Sequence, residues 1–152
     1  MLELLQPFLA DHGLLVLFIL GFLAATLLPL GSEWLLILLL QQNEIAVYQL
    51  VLTTTLGNYL GSCANYLIGI YGSDYLIRKL LRINDKDIER AKQLYNRYGC
   101  WSLLFAWLPV VGDPLCLIGG IFKIDFRLFS ILVFSGKLAR YSLTAIITLQ
   151  FV

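Results

Sequence analysis

Charge is what this 152-residue chain has least of: Asp, Glu, Lys and Arg together make up 14%, against 59% hydrophobic residues. Soluble domains carry about 25% charged residues, so an ordinary soluble globule is excluded. With a mean hydropathy of +0.81, the composition points to an integral membrane protein. Histidine is almost absent: His12 stands alone, which sets aside a histidine-centred metal site or catalytic triad. Cys63, Cys100 and Cys116 are odd in number, lie in or beside apolar stretches and have no metal-ligand spacing, so they read as small buried residues. The first thirteen residues hold Glu3 and Asp11 but no Lys or Arg, and a cleavable signal peptide is not expected. The net charge of +1 says nothing about nucleic acid, but no basic patch is interleaved with aromatics outside one short segment, and a nucleic-acid partner is not expected. No nucleophile–base pair occurs, so neither an enzyme nor a cofactor is expected.

What is present is a pair of interruptions in apolar sequence. Residues 14–27 and 34–40 are uncharged, and between them stands Leu28-Pro29-Leu30-Gly31-Ser32-Glu33. The pattern recurs as Leu108-Pro109-Val110-Val111-Gly112-Asp113, each acid four residues after its proline. A charge at the centre of a bilayer costs about 2.5–3.5 kcal/mol even on the lenient insertion scale, so acids at such positions need a reason.

In chain order, residues 2–12 form a short segment with Pro7, readable as an interfacial helix. Residues 14–40 read either as one kinked span or as a re-entrant hairpin with Pro29 and Gly31 at its tip, where protein or a wet cavity must surround the non-helical backbone. After a polar break at 41–49, residues 50–71 form a span dotted with Thr53, Thr54, Thr55, Asn58, Ser62 and Asn65. Gly57 and Gly61 give it a small-xxx-small face. Residues 72–99 hold seven basic residues and four acids. Asn84 is a candidate N-cap there and Gly99 a stop. Ile88, Ala91, Tyr95 and Tyr98 form an apolar stripe, which suggests a helix lying in the membrane surface or, alternatively, a solvated linker. The positive-inside tendency makes this connector cytoplasmic. Residues 101–120 repeat the interrupted block, and 128–151 form the last span with Gly136, Lys137 and Arg140. Trp34, Trp101 and Trp107 read as packing or interface anchors.

The two halves correspond. Pro29 and Pro109 are 80 residues apart, Gly57 and Gly136 are 79 apart, and a polar residue follows each of these glycines. If 14–40 and 101–120 are re-entrant, each half crosses the bilayer once, and the second half must be inverted relative to the first. That is the inverted-repeat plan of secondary transporters. The expected fold is therefore an all-α membrane protein forming a single membrane domain. Its first repeat spans 14–71 and its second 100–152, with an amphipathic surface helix between them. Charge agrees with the parity: Lys123, Asp125 and Arg127 then fall on the same side as the basic connector.

Glu33, Asp113, Lys137 and Arg140 are the ionisable residues in apolar surroundings. Left unpaired they would cost roughly 10–14 kcal/mol on the lenient scale, comparable to a whole domain's stability, so they are expected to face one another. A bland reading has Asp113 capping a helix before Pro114, and Ser32 or Gly31 doing the same before Glu33. The functional reading aims two helix N-termini at the midplane, where anions are held. There Arg140 and Lys137 bind a phosphate, with Asn58, Asn65 and Thr55 lining the cavity, and Glu33 or Asp113 takes up a proton as the anion loads. The tips would be Pro29, Gly31, Pro109 and Gly112.

The segments 26–33, Gly57-Asn58-Tyr59-Leu60-Gly61, Arg97-Tyr98-Gly99, 107–116 and Gly136-Lys137-Leu138-Ala139-Arg140-Tyr141 together resemble the DedA superfamily. Its eukaryotic members are called VTT-domain or SNARE-associated proteins, and the likeness is strongest to the short YqaA-type branch. The resemblance covers about residues 14–150. It implies a multi-pass bacterial inner-membrane protein with two oppositely oriented re-entrant hairpins, associated with membrane homeostasis and proton motive force. Some members look like flippases for undecaprenyl phosphate or phospholipids, and eukaryotic relatives look like lipid scramblases. Glu33 matches the family's first-hairpin acid, and Arg140 sits where a basic residue of the last span is expected. Longer DedA proteins carry arginines flanking the second proline, where this chain has Ala106 and Gly112. The leading expectation is a proton-coupled transporter of a phosphate-bearing lipid, with membrane lipids and protons as partners and a homo-oligomer compatible with it. The alternatives are a non-transporting membrane protein whose charges hold its hairpins together, and a coupled small-solute or ion transporter.

Overall fold

The computed structural model of this chain describes residues 2–26, 31–42, 45–72, 85–108 and 111–150. Among them every regular element is helical. The first helix, α1 (Leu2–Thr26), is continuous. A separate segment at 2–12 and a hairpin beginning at residue 14 are thus corrected. Pro7 stands near the helix's free end, where its missing N–H costs one hydrogen bond to residue 3 and no more than a local bend. Then comes α2 (Gly31–Gln42). A Cβ built on Gly13 would sit 3.3 Å from the Leu39 side chain. One straight rod would hold residues 13 and 39 about 39 Å apart, so α2 runs back along α1 and the single kinked span is excluded.

Helix α3 (Val47–Tyr71) follows, then α4 (Asp85–Tyr98). Gly99, at φ 60°, ends α4 in the left-handed conformation that glycine adopts without steric cost. The proposed cap at Asn84 lies outside the described residues, as do Pro29 and Pro109. A 3-10 helix (Gly99–Trp107) leads into α5 (Gly112–Ile121). Here too the chain doubles back: Gly112 lies against the Ala106 carbonyl and Gly119 against the Leu103 side chain. The last helix, α6 (Phe126–Gln150), is capped by Asp125, whose Oδ1 accepts from the Arg127 and Leu128 N–H groups at 2.9 and 3.1 Å. It is long and apolar enough to cross a membrane. Helix α3 equals it in length and carries no charge, but is dotted with Thr, Asn and Gly.

Those polar residues are what α3 needs as a central helix. Thr54, Thr55 and Ser62 are buried and return their hydroxyls to the carbonyls of Leu50, Val51 and Asn58, so these three hydroxyls are satisfied within the helix. Gly57 and Gly61 face α1 so closely that an added Cβ would fall 2.3 and 2.5 Å from the Phe18 and Phe22 carbonyl oxygens. Farther along, Gly69 meets the Leu117 carbonyl of α5. Small residues let backbones approach where lipid supplies no hydrophobic drive.

Helices α3 and α6 run antiparallel: Tyr66 packs on Phe126 and Phe129, Tyr59 reaches Ser130 and Phe134, and Asn58 meets Lys137. The remaining pairings exchange between halves. The first arm of each hairpin packs on its own long helix (α1 on α3, the 3-10 helix on α6), and the second arm packs on the other half's (α2 on α6, α5 on α3). Two apolar cores result. Leu17, Leu36, Leu39, Leu50 and Ala145 form one. Leu103, Leu115, Ile118, Phe129 and Val133 form the other.

The stripe on α4 does not face lipid. Ala91 is fully buried, Ile88 packs against the second core, and Tyr95 stacks on Phe122 at 4.6 Å between ring centroids. Only Tyr98 of that set is exposed, beside Phe105. The stripe is spent on α5 and its connection, and Lys86, Arg90, Lys92 and Arg97 stay outward.

Candidate functional site

Midway along α6, on a face three residues apart, stand Lys137 and Arg140. Opposite them, midway along α3, stands Asn58. The first turn of α2 supplies Ser32 and Glu33, the first turn of α5 supplies Asp113, and the 3-10 helix ends at Trp107. These elements converge because each second arm crosses to the other half's long helix.

Arg140 donates through Nε and Nη2 to Glu33 Oε1 and through Nη1 to the Trp107 carbonyl. That carbonyl is free because the 3-10 helix stops there. One guanidinium thus ties α2 of the first half to the first arm of the second, using the planar fork that lysine lacks. Lys137, 3% exposed, donates to Asn58 Oδ1, and Asn58 Nδ2 donates to the Gly21 carbonyl at 3.0 Å. The Ser32 and Tyr141 hydroxyls are 3.0 Å apart. Ala24, Ala106 and Leu108 complete the walls around Ser32, Asn58, Asp113, Lys137, Arg140 and Tyr141. The enclosed cavity measures about 10 Å³, room for a single water.

Of the sequence-selected residues, Glu33, Asn58, Asp113, Lys137 and Arg140 are brought together. Asn65 and Thr55 are not. Asn65 Nδ2 donates to the Ala25 carbonyl at 2.8 Å while its Oδ1 is buried without a partner, and Thr55 is turned to its own helix. The capping reading is corrected. Val111 precedes α5 and offers no side-chain cap, so Asp113 is the second residue of that helix and caps nothing. The Ser32 hydroxyl likewise pairs with that of Tyr141. Gly31 and Gly112 open the two second arms, and Gly112 is needed there because a Cβ would lie 2.2 Å from the Ala106 carbonyl oxygen. Sequence reasoning missed Tyr141, Ser32 and the Trp107 carbonyl. The first two adjoin selected residues, while a backbone carbonyl leaves no trace in residue type.

Arg140 also lines a second space. A groove of about 670 Å³ runs along α6 between Leu104 and Trp107 on one side and Ala139, Leu143 and Ile147 on the other, and it is apolar but for Ser135, Thr144 and the arginine.

An all-helical body holding oppositely charged, part-buried residues between apolar cores defines the class: a helical membrane protein with a charged centre. The VTT domain family matches residues 7–150, and the chain belongs to that family, within the DedA superfamily. It is 39% identical to the Inner membrane protein YqaA of Escherichia coli (strain K12) over 138 residues, which are 91% of this chain and 92% of that one. It is 36% identical to an uncharacterized protein of Haemophilus influenzae over 86% of this chain and 83% of the relative. To the uncharacterized membrane protein YbfM of Bacillus subtilis it is 26% identical over 84% and 83%. The name of the E. coli relative supports a bacterial inner-membrane location. No solved structure matches.

Proposed function

We propose that this chain is a multi-pass inner-membrane transporter of DedA type that moves a phosphate-bearing lipid between leaflets with proton coupling. One observation carries the reading: Arg140 lines both the apolar groove and the polar cavity. An amphiphile with its chains along α6 and its phosphate on the guanidinium fits that junction, and a planar fork suits phosphate oxygens. The cavity is closed to a headgroup, so loading must part Arg140 from Glu33.

The inverted repeat with re-entrant hairpins is part of the proposal. It is supported by the antiparallel α3 and α6, by the doubling back of both interrupted blocks, and by the exchanged arm pairings. The connector helix and Phe122–Lys123 lie together, as Tyr95 stacked on Phe122 requires. That agrees with a common cytoplasmic side for residues 72–99 and Lys123–Arg127.

The second reading is a coupled small-solute or ion transporter, favoured by the water-sized cavity. Proteoliposomes of phosphatidylcholine containing fluorescent undecaprenyl phosphate, phosphatidylethanolamine or phosphatidylglycerol, assayed for leaflet exchange across a pH gradient, decide between them. Exchange of at least one of these lipids that is lost in Arg140→Lys supports the proposal. Entry of inorganic phosphate without lipid exchange transfers the case to the second reading. Full activity in the Glu33→Gln, Arg140→Met double variant leaves the charges a structural role only.

A further inference from the structure

The four charges are not two equivalent pairs. Exchanging the halves maps Glu33 onto Asp113, 80 residues on, since each is the acid in the first turn of a second arm. Glu33 meets Arg140 of the opposite long helix. The corresponding residue of α3, 79 before Arg140, is Gly61, so Asp113 has no such cation. It makes no hydrogen bond or ion pair with any described residue, although Lys137, and then Arg140, are the charges acting on it most strongly. Lys137 in turn reaches Asn58 and no carboxylate among the described residues. Both Lys137 and Asp113 nevertheless line the one cavity of about 10 Å³, the space of one water.

Chemistry divides the two sets. A guanidinium does not give up its proton in proteins, so the Arg140–Glu33 contact offers no partner for exchange. An ammonium can lose its proton on burial, and one water suffices to relay between it and a carboxylate. We infer that Asp113, relaying with Lys137 across the water-sized gap, carries the coupled proton, while Glu33 is the internal anion that the cargo phosphate displaces from Arg140. This rests on the lipid-phosphate reading.

Charge balance gives the sequence of events. Glu33, Asp113, Lys137 and Arg140 sum to zero, and a lipid phosphate adds negative charge that a low-dielectric site tolerates poorly. Lys137 then passes a proton through one water to the Asp113 carboxylate, where an O–H bond forms. Hydronium from the bulk restores the ammonium, and the proton returns to solvent by the same route as the phosphate leaves. The groups facing Asp113 are Ser32 from α2, Asn58 from α3, Cys116 from its own helix, and Lys137, Arg140 and Tyr141 from α6. The 3-10 helix contributes Ala106, with no ionisable side chain.

The test is lipid exchange in the same phosphatidylcholine vesicles, loaded with fluorescent undecaprenyl phosphate, over a pH series. It is paired with the carboxylic-acid infrared band of the protein in lipid. Wild-type exchange should change up to about tenfold per pH unit for one proton. Asp113→Asn should flatten that slope, and Lys137→Arg should flatten it as well. Glu33→Gln should keep the slope and bind the lipid more tightly. If Asp113→Asn does not fold, the charge-neutral Asp113→Asn, Lys137→Met pair replaces it with the same expectation. The titrating infrared band should vanish in the Asp113 variant and persist in Glu33→Gln, whether or not any lipid moves, so a failed transport assay does not mask this result. A slope that survives at Asp113 and disappears at Glu33, or a band that follows Glu33, overturns the inference.

Discussion

At the residue scale, the site is a set of donors and acceptors in which few substitutions are neutral. Arg140 uses three nitrogens on two partners from different halves. Arg140→Lys keeps the charge but cannot span both, so it should insert and fold while losing at least about tenfold in lipid exchange, equivalent to about 1.4 kcal/mol. Asn58 satisfies Lys137 and the Gly21 carbonyl at once. Asn58→Leu strands both and should cost about 1–3 kcal/mol per orphaned group, read as a lowered melting temperature in detergent. Residue types were legible here: acids and bases amid apolar runs are costly, and that cost selected Glu33, Asp113, Lys137 and Arg140. Their partners were not legible. Asn65 lies on the same face of α3 as Asn58, and both bond carbonyls of α1, but only Asn58 also meets a cation of α6 among the described residues.

At the scale of elements, glycine does two jobs that substitution separates. Gly57 is wedged against the Phe18 carbonyl, whereas nothing lies within 4 Å of a Cβ on Gly99, whose demand is its φ of 60°. Gly57→Ala should force α1 and α3 apart and abolish a stable fold. Gly99→Ala should cost only about 1–2 kcal/mol, and comparing the two melting temperatures checks the distinction. Helix α4 carries the same lesson in another form. Its 3.6-residue stripe is plain in the sequence, but periodicity says that a face is buried and not against what. A membrane surface and a neighbouring helix satisfy it equally, and α5 is the one found.

For the whole molecule, the exchanged pairings make each half incomplete without the other, since α2 packs on α6 and α5 on α3. The orientation this implies is open to labelling. With single cysteines in a background of Cys63→Ser, Cys100→Ser and Cys116→Ala, Lys86→Cys and Lys123→Cys should react with an impermeant maleimide from the same side of inverted vesicles. Ala46→Cys, exposed at the other end of α3, should react only from the opposite side. Labelling of positions 86 and 123 from opposite sides would remove the re-entrant second hairpin.

The sequence by itself determined the solvent. A charge content of 14% and uncharged runs leave lipid as the medium, and a Pro-Gly-acid block recurs 80 residues on. Tertiary structure alone decided which charges touch. Glu33 meets Arg140 across 107 positions of chain while Asp113 pairs with no charge among the described residues, because contact depends on which arm crosses to which helix. Backbone crossings are set by glycines and carbonyls that look alike in any apolar helix.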